Sequence, residues 1–81
     1  MRTIFKLRHD QKMPDKLMEI LNQIEGSKIL PGGIALAQGP KGEWLGLVDN
    51  SDAIYFIDAG STEPTEGALR SHLARNREDV Q

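Results

Sequence analysis

From Arg2 to His9 the chain alternates. Thr3, Phe5 and Leu7 fall on one side of an extended backbone and Arg2, Lys6 and Arg8 on the other, with Ile4 as the exception. The pattern predicts a half-buried strand whose wet face is basic. The period then becomes helical. Met13, Leu17, Ile20, Leu21 and Ile24 lie within a stripe about 100° wide, the width of a helix packed on a core. Pro14 suits a first helical position, Asp15 complements the positive end of the helix dipole, and Gly26 supplies a left-handed terminator. A helix over 14–25 is expected.

Three short apolar runs follow: Ile34-Ala35-Leu36-Ala37, Trp44-Leu45-Gly46-Leu47-Val48 and Ala53-Ile54-Tyr55-Phe56-Ile57. Gly39-Pro40-Lys41-Gly42 and Asp49-Asn50-Ser51-Asp52 separate them, and these residues let the chain reverse. Runs this short predict a three-stranded antiparallel meander rather than helices. Ser27 to Leu30 reads as the start of a strand that Pro31-Gly32-Gly33 interrupts, as a bulge or a wide turn. In the second run Glu43, Leu45 and Leu47 share one face, and Trp44, Gly46 and Val48 the other; Gly46 beside Trp44 makes room for a ring or a close backbone. The run at 53–58 is apolar on both faces, which predicts the most central strand. Turn and cap residues after Asp58 lead into a second helix, from about 64 or 66 to about 76, capped by Thr62, Glu63 or Thr65. Its apolar content is slight: Ala68, Leu69, Leu73 and Ala74.

The element order β-α-β-β-β-α predicts the α+β class: a four-stranded, largely antiparallel sheet with the first helix packed on one face. One compact domain over 1–76 and a frayed tail over 77–81 are expected. A chain of 81 residues buries about 60–65% of the surface it exposes when unfolded, so its core is thin and its four aromatic residues carry much of it.

Cysteine is absent, which excludes disulfides, thiol nucleophiles and thiolate metal sites. No apolar stretch is long enough for a signal peptide or a membrane span, so the expectation is a soluble, cytoplasmic protein with no membrane contact. Net charge is −2, less basic than a dedicated nucleic-acid binder usually is. The charges are sorted along the sequence. Residues 1–16 hold Arg2, Lys6, Arg8, Lys12 and Lys16 against Asp10 and Asp15, whereas residues 43–66 hold Glu43, Asp49, Asp52, Asp58, Glu63 and Glu66 and no base.

Candidate chemistry is sparse. Ile57-Asp58-Ala59-Gly60-Ser61-Thr62 resembles the aspartate loop of pepsin-like proteases and the first phosphate loop of actin-like kinases. Each resemblance covers five or six residues, and the flap or second hairpin strand that follows in those families has no counterpart here. Asp58 therefore reads as a strand-end residue feeding a helix cap. Pro31-Gly32-Gly33 lacks the Lys-Ser/Thr of a phosphate loop. His9 and His72 lie at no metal-binding spacing and read as solvated surface residues. An enzyme acting through Asp58, Ser61 or His72 would need those groups in one cleft. The element order also resembles that of RelE-type ribosome-dependent nuclease toxins, whose meanders are dense in Lys, Arg, His and Tyr; this meander is acidic.

The expectation is a non-catalytic protein-binding module, an adaptor, regulator or inhibitor, acting through a charge-polarised surface. No catalytic, cofactor-binding or metal-binding residues are assigned. Asp49, Asp52, Glu63, Glu66, Arg70, Arg75 and Arg77 are the candidate partner contacts, and the weakly amphipathic last helix offers a face to a partner or to a homodimer. The alternative is a nucleic-acid-associated protein that contacts phosphates through Arg2, Lys6 and Arg8 with Arg70, Arg75 and Arg77.

Overall fold

A computed structural model describes residues 1–76 as β1 (Arg2–Arg8), α1 (Asp15–Asn22), β2 (Gly26–Leu30), β3 (Ile34–Gln38), β4 (Trp44–Asp49), β5 (Ala53–Gly60) and α2 (Glu66–Asn76). The tail expected to fray, 77–81, lies outside the described residues, and Arg77 with it. All five strands form one antiparallel sheet in the order β1-β5-β4-β3-β2. The α+β class holds, but the sheet has five strands rather than four. The missed strand is β2. Pro31-Gly32-Gly33 does not interrupt it; it is the turn of a β2–β3 hairpin in which Gly32 and Gly33 adopt φ of +79° and +76°. Both values fall where side-chain-bearing residues are strained, so two adjacent glycines are what this reversal requires.

Adding β2 shortens the helix before it. Gly26 pairs with Gln38 as the first residue of the strand, so it does not terminate α1 in a left-handed conformation. The helix instead ends at Asn22, and Gln23 and Ile24 follow in a tighter turn that bonds to the Ile20 and Leu21 carbonyls. Pro14 stands at the N-cap, with its carbonyl accepting from the Leu17 and Met18 amides.

The helices cover opposite faces. On one, Leu17 with Ile20, Leu21 and Ile24 packs over Leu7, Ala37, Leu45 and Phe56. On the other, Leu69 and Leu73 of α2 pack over Ile34, Leu36, Val48, Tyr55 and Ile57. β5 feeds both cores, as its two apolar faces predict, although β4 holds the middle of the sheet. The weak last helix does dock. Its buried stripe is Leu69, His72 and Leu73, and His72 is only 6% exposed, so an imidazole completes what the aliphatic count leaves short. Thr65 caps this helix, its hydroxyl accepting from the Ala68 amide at 3.1 Å.

One local irregularity changes which residues share a face. Thr3 pairs with Ile57 and Phe5 with Phe56, so Ile4 is an extra residue, a β-bulge. Ile4 and Phe5 both pack on the α1 side, while Thr3 is turned to the α2 side. The exception in the alternation is thus the bulge itself, and it brings Arg2 to the α1 face, away from Lys6 and Arg8.

A candidate binding groove beside the first helix

α1 has eight residues and cannot roof a five-stranded sheet. Where it falls short, two adjoining hollows open along its flank. One, about 250 Å³, lies near the start of the helix and is lined by Arg2, Ile4, Phe5, Lys16, Leu17, Ile20 and Asp58. The other, about 180 Å³, lies near its end, bordered by Gln23, Ile24, Pro40, Glu43 and Trp44. Ile4, Ile20 and Asp58 belong to both, so the two form one groove with an apolar floor. The Ile4 bulge supplies a second apolar side chain where a regular strand would supply one. A concave apolar surface with a few polar groups on its rim is the usual form of a binding site.

The expected partner contacts lie elsewhere, and most are engaged within the chain. Asp49 accepts from His9 at 2.8 Å. Asp52 takes the Tyr55 hydroxyl at 2.7 Å and has the Lys6 ammonium 3.6 Å away. Glu63 pairs with Lys28 at 2.9 Å. Glu66 pairs with Arg70 at 3.1 Å, and Arg70 also donates to the Gly32 carbonyl at 2.8 Å. Arg75 is exposed in the last turn of α2. The charges sorted along the sequence do not become two flanks, because the strand order lays basic β1 beside acidic β5: Arg2 meets Asp58 at 3.9 Å and Lys6 meets Asp52. Arg8 pairs with Asp10 at 3.9 Å, so each base of β1 has an acidic neighbour.

The catalytic candidates are split by the sheet. Asp58 is on the α1 side, where its carboxylate accepts from the Gly60 amide at 3.0 Å in a local turn. His72 is on the α2 side, its Nε2 2.8 Å from the Thr3 hydroxyl, and is buried rather than solvated. Burial and the nearby positive charges of the N-terminus and Arg75 lower its pKa below the ordinary 6.5. His9, by contrast, sits at the surface. Among the described residues no His, Cys, Asp and Glu side chains gather in a way that could hold a metal ion, and no helix is long and apolar enough to cross a membrane.

Sequence reasoning missed the groove because its lining comes from four separated segments. The signal that pointed to it was the Ile4 exception in an otherwise regular alternation. The chain matches no protein-family model, no curated protein and no solved structure.

Proposed function

We propose that this protein is a non-catalytic protein-binding module, an adaptor, regulator or inhibitor, that engages its partner through the groove beside α1. The observation that carries the reading is the continuity of the two hollows: they share Ile4 and Ile20 and present apolar side chains to solvent along the whole flank of the helix. Apolar surface left concave and open is what a partner's side chains can fill. A cytoplasmic setting belongs to the same proposal, in keeping with a chain that contains no cysteine.

The test compares the wild-type chain with Ile20→Ser. Proteins captured from a host extract are purified and titrated against both by calorimetry, with circular dichroism checking that the variant is folded. A loss of about tenfold or more in affinity supports the reading; equal affinity removes the groove from the interface. A complex with DNA or RNA that weakens steeply between about 50 and 200 mM salt would assign the nucleic-acid alternative instead.

A further inference from the structure

We infer that the groove receives a short extended peptide segment of the partner, with an acidic residue at one end, a basic residue at the other, and apolar side chains between. This rests on the protein-binding reading above and gives that partner a chemistry.

The rim charges are sorted by hollow. Asp58 lies where the two hollows meet; beyond it, the hollow near the start of α1 carries Arg2 and Lys16, and the one near its end carries Glu43 and no base. Arg2 lies 3.9 Å from Asp58, too long for a strong hydrogen bond, and its side chain is 78% exposed, so it has donors to offer a second carboxylate. Lys16 forms no ion pair among the described residues. Glu43 is fixed in place at the opposite end, where it accepts from the Lys41 amide at 2.8 Å.

Spacing points to an extended chain. Lys16 and Gln23 border the two hollows, and the helix rises about 10 Å between them. A strand covers that distance in about three or four residues, and its alternate side chains face the same way. Two such side chains reach the two hollows, and the next residues on that same face, two further along at each end, meet the charged rim. A fatty acid offers a single charge, so it would satisfy Arg2 and Lys16 and leave Glu43 and Asp58 against hydrocarbon.

Trp44 packs on the α2 side of the sheet, so occupancy of the groove is read by isothermal calorimetry rather than by its fluorescence. The probes are the capped heptapeptide Glu-Thr-Leu-Thr-Ile-Thr-Lys, whose Glu, Leu, Ile and Lys share one face, and its doubly acidic and doubly basic counterparts, with Glu or Lys at both ends. The mixed peptide is expected to bind saturably and about fivefold more tightly than either counterpart at low salt. Lys16→Glu is expected to turn the preference toward the doubly basic peptide. Three equal affinities, or no saturable change up to about 1 mM of any peptide, overturn the inference. So does decanoate binding where no peptide binds, which would assign the groove to an amphipathic lipid. If the peptides fail while Ile20→Ser still loses the purified protein partner, the binding reading stands and only the peptide chemistry falls.

Discussion

Leu69 occupies the space that a side chain at Gly46 would need: a Cβ on that glycine would stand 2.7 Å from Leu69 Cδ2. The room expected beside Trp44 is thus filled from α2, by an aliphatic side chain rather than a ring. Gly46→Ala must push a fully buried leucine off its seat, and the expected cost is about 1–3 kcal/mol in urea unfolding. Leu69→Ala alone leaves a cavity and costs about 2–5 kcal/mol. The double variant is expected to cost clearly less than the sum, because the new methyl enters the vacated space. Additive costs would show that the two residues do not share that space.

His72 gives the fold a pH dependence of definite sign. The folded state holds it below its ordinary pKa of 6.5, so near and below that pH the unfolded chain binds more protons than the folded one. Its contribution to stability is fully present above about 6.5 and is lost as pH falls toward the folded value. Denaturant midpoints measured from pH 8 down to pH 5 are expected to decline, and His72→Gln to flatten that decline. A variant with the wild-type slope would place its origin in other groups.

Ile29 is 79% exposed on β2, one of the two edge strands. Strand edges with apolar side chains are templates for pairing with another chain. The wild-type protein is expected to self-associate at high concentration, and Ile29→Lys to suppress this while changing stability by no more than about 0.5 kcal/mol. Light scattering against concentration decides it; equal masses for both proteins would remove β2 from any contact between copies.

Arg70, held by Glu66 one turn back in α2, ties the helix to the β2–β3 turn by donating to the Gly32 carbonyl, but it does so in solvent. Arg70→Ala is expected to cost about 1 kcal/mol, well below the cost of removing Leu69. Arg70→Lys recovers only part of that, since a lysine cannot donate to two acceptors through a rigid fork. A loss as large as that of Leu69→Ala would mean that the tether, not the apolar contact, seats the helix.

Local patterns carried much of the fold. The meander, the stripe from Leu17 to Ile24 and the Thr65 cap were all legible, because each depends on residues near one another in sequence. β2 was not, since Pro31-Gly32-Gly33 signals a break as well as a turn and only pairing with β3 decides between them. His72 was misread because a helix stripe counted by aliphatic residues overlooks an imidazole with a hydroxyl partner. That basic β1 would lie beside acidic β5 was not legible either, since strand order lies outside what local periodicity records. The groove needed that order as well, together with the phase shift at Ile4.

The neighbour of β1 is the last strand of the sheet, with Arg2 opposite Asp58. The hairpins from β2 to β5 close across short turns, whereas β1 must close across most of the chain to reach the edge that β5 offers it. Arg2, Ile4 and Phe5 reach the flank of α1 only when that long closure is made. The chain therefore gains the groove only in the step that finishes the sheet, and an incompletely assembled copy lacks one of its walls.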